Sequence, residues 1–381
     1  MNNVLSAFSF VLPTKIVFGP GCVKNLPGEL GELKSARPLI VTDKGIVAAG
    51  VLDKVLAVLP EGLPYRVFDG AEANPKDINV AAGAEEYDAF GADSIIAVGG
   101  GSPMDCAKAI AVLAANNARD IKAFEGKNAP TLPLPPLVCV PTTSGTGSEV
   151  TFSSVITDTK NHYKMTVKNA YTAARTAICD PELTLSVPAR VTTATGVDAL
   201  THAIEAFTAT CSNPISDAVA LYAVELIYKN LVTACEDGKN LEARSGMMMG
   251  SLLAGIAFSH ADVASVHCIA ESLGGMYDLP HGDCNAIILP FMMKYNMDYC
   301  ADKYARIAAA MGLNAGAAAA VEAVVRLAAD VKLPSFASLG VKPADFEKIA
   351  AASAKNISTQ SNPRPMSAED YINVLKMADG K

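Results

Sequence analysis

Five histidines are spread over 381 residues, and four of them lie in the second half of the chain. Asp198 and His202 stand four apart in Thr195-Gly196-Val197-Asp198-Ala199-Leu200-Thr201-His202-Ala203-Ile204-Glu205, so a helix presents both on one face. His267 follows in Val266-His267-Cys268-Ile269-Ala270-Glu271, and His281 in Leu279-Pro280-His281-Gly282-Asp283, which reads as a loop after a helix. One carboxylate and three imidazoles suit Fe(II), Zn(II), Mn(II) or Ni(II), with geometry deciding among them. Spacing alone leaves alternatives open. A buried histidine one turn from an aspartate is also a common structural pair, and His260, seven before His267 on what could be the same helix, offers a competing set. His162, in Lys160-Asn161-His162-Tyr163-Lys164, reads as a turn residue.

A second chemistry is suggested by glycines. In Val98-Gly99-Gly100-Gly101-Ser102-Pro103-Met104-Asp105 a strand hands over to a helix. Glycines let the backbone turn tightly and approach a pyrophosphate, whose charge the free N–H groups and the positive helix end stabilise. Ser102 is the expected N-cap, Pro103 suits the first helical position, and Asp105 stands where a capping box places its acid. A plain capped helix after a turn would read the same way. Pro141-Thr142-Thr143-Ser144-Gly145-Thr146-Gly147-Ser148-Glu149 also follows a strand and is rich in hydroxyls and backbone donors. Two such loops can converge on one dinucleotide. Asp43, just after the strand Leu39–Thr42, can meet ribose hydroxyls and repel a 2′-phosphate, which tilts the expectation toward NAD. An acid there can equally cap a helix.

The elements that must position these residues fall into two textures. The first half alternates β-rich runs with helical stretches: Pro38–Thr42, a helix through about Leu59, Tyr65–Phe68, a helix near Val80–Phe90, Ser94–Val98, a helix from Pro103, and Leu137–Val140 as a late strand. That rhythm predicts βαβ units and a parallel sheet. From about Pro188 the stretches Ile215–Val232, Asn240–Phe258, Val263–Leu273, 315–331 and Pro343–Ala354 recur with helical period and almost no strand candidates.

Composition excludes several roles. Half the residues are hydrophobic and 18% are charged, below the roughly 25% of an average domain, so large cores are expected, with some surface hidden in an oligomer. Gly, Pro, Ser or charged residues break every apolar run short of the roughly 18 needed to span a membrane. A net charge of −8 without a Lys/Arg cluster argues against nucleic acid and for a small partner. Nine scattered cysteines with no C-x-x-C pair read as buried thiols in a reducing cytoplasm. The N-terminal MNNVLSAFSFVLPTK lacks a basic start and reads as an extended first strand, not a signal segment.

Taken in order, the turn GGGSPMDCAKA, the loop PTTSGTGSEVT, the helix GVDALTHAIEAF and the pair VH…LPHG resemble the iron-containing (group III) alcohol dehydrogenases, from Pro13-Thr14-Lys15-Ile16-Val17-Phe18-Gly19 through Asn362-Pro363-Arg364. The resemblance implies an α/β N-terminal dinucleotide-binding domain with a parallel sheet, 1–188, and an all-α C-terminal metal-binding domain, 189–381, in the dehydroquinate synthase-like fold. It implies metal ligation by Asp198, His202, His267 and His281, and NAD contacts from Asp43, Asn74, Gly99, Gly100, Gly101, Ser102, Thr142, Thr143, Thr146, Val155 and Lys164. Iron(II) is the expected ion, with zinc(II) or another divalent ion as the alternative. The implied reaction interconverts short-chain primary alcohols and aldehydes by hydride transfer, the metal acting as a Lewis acid. A polyol dehydrogenase acting on 1,3-propanediol, 1,2-propanediol/lactaldehyde or glycerol is the alternative, and a non-catalytic metal-binding subunit a further one. The family also implies a homodimer or larger homo-oligomer.

One position departs from the pattern. Many members carry a second histidine four residues after the third ligand, whereas this chain has Glu271 there, and Cys268 where glycine is usual. Glu271 can replace the imidazole as an acid/base beside His267, orient His267, or line the pocket, where a carboxylate disfavours anionic aldehydes. Phe152, Phe258 and Cys268 are further pocket candidates.

Overall fold

The computed structural model describes residues 7–126, 132–161, 163–314 and 316–380, which form two units. One comprises Leu12–Thr143 and Gly147–Val187; the other runs from Pro188 onward and includes residues 7–11 and Ser144–Thr146. His162 lies outside the described residues.

The first unit is α/β. Its strands are β1 (Lys15–Phe18), β2 (Pro38–Val41), β3 (Arg66–Phe68), β4 (Ser94–Gly99), β5 (Leu137–Pro141), β6 (Ser153–Asp158), β7 (Tyr163–Lys168) and β8 (Thr176–Cys179). Six of them form a sheet in the order β1-β8-β5-β4-β2-β3 in which every pairing is parallel. Helices α1 (Leu26–Glu32), α2 (Lys44–Ala48), α3 (Val51–Leu56), α4 (Asp77–Phe90) and α5 (Gly101–Asn116) complete the unit. Leu39, Val41, Ile95, Ala97, Leu137 and Cys139 pack on one face with residues of α4 and α5. Ile40, Ile96, Val98, Val138 and Val140 pack on the other with residues of α1 and α3. Strands covered on both faces read as continuous apolar runs, which is why they stand out in the sequence. Ile96 is wholly buried, and Ile96→Ala would leave a cavity costing about 2–5 kcal/mol.

Several local expectations change. The helix expected through Leu59 is two short helices, broken where Gly50 takes a positive φ of 66°. The N-terminal strand begins only at Lys15, and residues 7–13 have no regular structure. Helix α5 starts at Gly101 with Gly100 as N-cap and no side-chain cap, so Ser102 lies inside the first turn instead of capping it. The antiparallel hairpin β6–β7 was not anticipated, because residues such as Ser153, Ser154, Thr157 and Asp158 put polar groups on both of its faces.

The second unit holds α6 (Ala189–Thr208), α7 (Pro214–Glu236), α8 (Leu241–Ala261), α9 (Ser265–Tyr277), α10 (His281–Ala310), α11 (Ala317–Asp330), α12 (Phe346–Lys355) and α13 (Ala368–Asp379) around one apolar core. Helix α7 is long and apolar enough by composition to cross a membrane, yet Ala220, Ala223, Val224, Ile227, Leu231 and Ala234 are buried in this core. A bend of 100° separates α8 from α9, with Asp262 at φ 62° in the break. His260 and His267 therefore sit on different helices. His281 opens α10 instead of lying in a loop.

Candidate functional site

In the helical unit, α6 carries Asp198 and His202 one turn apart, both buried. Helix α9 supplies buried His267 and the start of α10 supplies His281. One ligand-type atom from each of the four lies within 4.8 Å of the others. His202 Nε2 and His267 Nε2 are 2.9 Å apart. Imidazole nitrogens facing each other this closely, inside a protein and beside a carboxylate, match the donor set of a divalent cation. The residues therefore fit a metal ion.

His260 takes no part. Its ring stacks on Phe10 at 3.8 Å, Nδ1 lies 2.9 Å from the Ile256 carbonyl, and Nε2 lies 2.9 Å from the Val11 carbonyl.

Two residues absent from the sequence reading complete the centre. Glu205, three after His202 on α6, accepts the Nδ1–H of His267 at 2.5 Å, the Val266 N–H at 2.7 Å and the Ala264 N–H at 3.0 Å. A carboxylate at the first turn of α9 also suits the positive end of that helix. With Nδ1 as the donor, Nε2 keeps its lone pair for a cation. Burial opposes a proton on His267, but the charge and hydrogen bond of Glu205 outweigh it and hold the imidazole above its usual range. His202 moves the other way, well below its usual range, because burial and His267 both disfavour its charge. The Phe258 ring stacks on His202 with centroids 4.5 Å apart, which fixes the imidazole plane. Asn285, one turn after His281 on α10, donates Nδ2–H to Asp198 Oδ1 at 2.7 Å and lies 3.0 Å and 3.1 Å from Nε2 of His267 and His281. The signal for Glu205 was present as a carboxylate on the ligand face of α6, and that for Asn285 as its four-residue spacing from His281.

Glu271 does not hold His267. Its carboxylate accepts from Asn356 Nδ2 at 2.6 Å, while Glu205 occupies the imidazole Nδ1. Cys268 is wholly buried with its thiol against the Ala264 carbonyl, so it faces the helical core and not an open pocket.

In the α/β unit, Asp43, the glycine turn and Thr142–Thr143 leave the carboxyl ends of the neighbouring strands β2, β4 and β5. Ligands of open parallel sheets bind at such ends. Gly99 has φ 151°, and a Cβ there would come within 2.6 Å of Pro103. A Cβ on Gly100 would come within 2.9 Å of Thr143 Oγ1, so the two loops approach closely only because that position is glycine. Gly101 and Ser102 lie in the first turn of a 16-residue helix whose N-cap offers no side-chain acceptor, and N–H groups in that position remain available to an anion. Thr142 Oγ1 is buried and finds no hydrogen-bond partner among the described residues. Uncapped amides and a buried orphan hydroxyl fit a phosphate-bearing ligand.

Asn74, at φ 51°, accepts from Lys164 Nζ at 2.8 Å, which joins two of the expected cofactor positions. Val155 on β6 donates its N–H to Asp105 Oδ2 at 2.9 Å, so Asp105 serves the hairpin instead of a capping box. Asp43 caps α2 by accepting the Ile46 N–H. Thr146 belongs to the segment grouped with the helical unit, where Gly145 lies so near α6 that a Cβ would meet Thr195 Cβ at 2.7 Å.

Residues 13–181 match the family model described as iron-containing alcohol dehydrogenase, and residues 192–378 match the Fe-containing alcohol dehydrogenase family, C-terminal. The chain is 42% identical to 1,3-propanediol dehydrogenase of Citrobacter freundii, over 97% of this chain and 98% of that protein. It is 38% identical to NAD-dependent methanol dehydrogenase of Bacillus methanolicus, over 97% of this chain and 99% of that one. Among solved structures, a 1,3-propanediol oxidoreductase superposes with a TM-score of 0.95 at 40% identity, covering 98% of this chain and all of that one.

Proposed function

The chain belongs to the iron-containing alcohol dehydrogenase family, and from that premise we propose how its own residues carry the chemistry. It is an NAD-dependent, metal-dependent oxidoreductase that interconverts alcohols and aldehydes by hydride transfer. Asp198, His202, His267 and His281 hold the ion, for which iron(II) is the first choice. When bound, the ion supplies Lewis acidity that favours the alkoxide over the alcohol and polarises the aldehyde carbonyl.

The remaining work falls to side chains. Glu205 holds the Nδ1 proton of His267 and so aims Nε2 at the ion site. Asn285 steadies Asp198, and Phe258 steadies the His202 ring. At the other substrate, Gly99–Ser102 and Thr142–Thr143 bind the pyrophosphate, and Asp43 selects NAD by disfavouring a 2′-phosphate. Asn74, Thr146, Val155 and Lys164 contribute further contacts to the dinucleotide. Glu271 lies one turn beyond His267 with its carboxylate anchored by Asn356, and its charge disfavours anionic aldehydes.

The substrates in this reading are neutral short-chain primary alcohols. The 42% identity to a 1,3-propanediol dehydrogenase favours a small diol as the second reading. Nine cysteines that form no disulfide support a reducing cytoplasm, and the acidic, lightly charged composition supports a homo-oligomer without nucleic-acid or membrane partners.

The observation that carries this reading is the meeting of four donors within 4.8 Å, with a carboxylate behind His267. Protein purified without oxygen and reconstituted with Fe(II) or Zn(II) is assayed with NAD and ethanol, butanol, 1,2-propanediol, 1,3-propanediol and glycerol. Metal-dependent turnover of at least one is expected; none with any alcohol under either metal overturns the reading. The order of rates separates simple alcohols from diols.

A further inference from the structure

Helix α5 carries more than the glycine turn at its start. About two turns further along, Lys108 is completely buried. Its Nζ lies 2.6 Å from the Ser148 carbonyl, 2.9 Å from Ser148 Oγ, 2.9 Å from Thr151 Oγ1, 3.2 Å from the Thr151 carbonyl and 2.9 Å from the Ser153 carbonyl. Asp105, three residues earlier and 4.0 Å from Nζ, accepts Ser148 Oγ–H at 2.7 Å on Oδ1 and the Val155 N–H at 2.9 Å on Oδ2. Its main-chain carbonyl accepts Ser154 Oγ–H at 2.7 Å. Two adjacent charges on one helix thus engage the segment 148–155 at five of its residues.

Stability alone does not call for this arrangement. Burying the Lys108 ammonium costs several kcal/mol, the Asp105 carboxylate beside it is itself only 17% exposed, and well-packed apolar side chains of the same volume usually stabilise as well or better. What a pair of this kind gives is a defined position for everything it bonds. The segment it holds begins at the end of the Thr/Gly loop and runs into β6, which carries Val155 and pairs with the strand bearing Lys164. The helix it hangs from begins at Gly101.

We propose that Asp105 and Lys108 are positioning residues for the dinucleotide: through α5 they fix segment 148–155 relative to the glycine turn, so that both loops present their cofactor contacts in register. The inference rests on the NAD reading above. Neither side chain touches the cofactor in this account; both act through the main chain of the loop.

The experiment measures NADH affinity by fluorescence, Zn(II) affinity by chelator competition and thermal stability on Asp105→Ala, Asp105→Asn and Lys108→Met. In Asp105→Ala the Kd for NADH rises at least tenfold, while the Kd for Zn(II) stays within twofold. Asp105→Asn, which keeps one acceptor and the shape, falls between it and the unaltered protein. A purely structural role would lower the melting temperature with both affinities unchanged in the folded fraction, and that result overturns the proposal. Should Asp105→Ala or Lys108→Met fail to fold, Asp105→Asn decides alone: an NADH Kd within twofold of the unaltered protein overturns it. Failure of the unaltered protein to bind NADH instead sinks the NAD reading itself.

Discussion

Glu205 and His267 meet across two helices, the carboxylate of α6 accepting the imidazole Nδ1–H of α9 at 2.5 Å. Glu205→Gln keeps the shape but exchanges a charged acceptor for a neutral one. Loss of such an outer carboxylate weakens metal binding about 10–100-fold. Competition with a chromophoric chelator measures the loss. Glu205→Ala goes further, since the N–H groups of Ala264 and Val266 lose their acceptor too, at about 1–3 kcal/mol for each group left unsatisfied.

Glu271→Gln should behave differently. Its carboxylate is held by Asn356 and makes no hydrogen bond to His267 Nδ1, which Glu205 occupies. Metal affinity should stay within about twofold, well under the 10–100-fold loss expected at Glu205. The pH–rate profile then tells whether a proton passes through this side chain: an unchanged profile leaves Glu271 as a pocket residue, and a lost limb makes it an acid/base.

Gly99→Ala tests the glycine turn. A Cβ would be held at φ 151° and would come within 2.6 Å of Pro103, and backbone strain of this kind costs about 1–3 kcal/mol. The displaced turn should raise the Kd for NADH while chelator competition reports an unaltered metal affinity, because the metal donors belong to the other unit.

Glu149 makes stability depend on pH. Burial pushes its carboxyl up to about 7 from 4.5. A folded-state value above the unfolded one favours the protonated form in the fold, so this stabilisation is complete below the unfolded value and is lost as pH rises through the folded one. Glu149→Gln is neutral throughout and should recover on the order of 3 kcal/mol on the alkaline side. Melting curves at about pH 5 and about pH 8 should show a smaller drop for the variant than for the unaltered protein.

Much of this was readable from sequence because local rules governed it. Strands β2, β4 and β5 are apolar on both faces since helices cover both, and the spacing of Asp198 and His202 reflects a helical turn. What escaped was decided elsewhere in the fold. The break between α8 and α9 places Asp262 at φ 62° and ψ 173°, outside the left-handed helical basin that aspartate visits and in a region otherwise kept for glycine, so its residue type gives no sign of the bend. The pairing of Glu205 with His267 spans 62 residues, and Glu271 drew attention instead because it stands where many family members carry a second histidine. Asn285 was hidden because His281 read as loop, so no helical spacing was applied beyond it. In the hairpin β6–β7, Ser154 and Asp158 share the face of Ile156 and hide β6, whereas β7 alternates Tyr163, Met165 and Val167 with Lys164, Thr166 and Lys168 and carried a readable strand signal.

Helix α6 holds Asp198, His202 and, through Glu205, the imidazole of His267, with all three α6 residues inside eight consecutive positions. Each inserted or deleted residue turns the rest of a helix by about 100°. A length change anywhere between 198 and 205 would therefore swing part of the set off the shared face, and no adjustment of α9 could follow both halves at once. Chains of this kind can lengthen or shorten in the connections between helices, but this interval is a ruler whose length cannot drift.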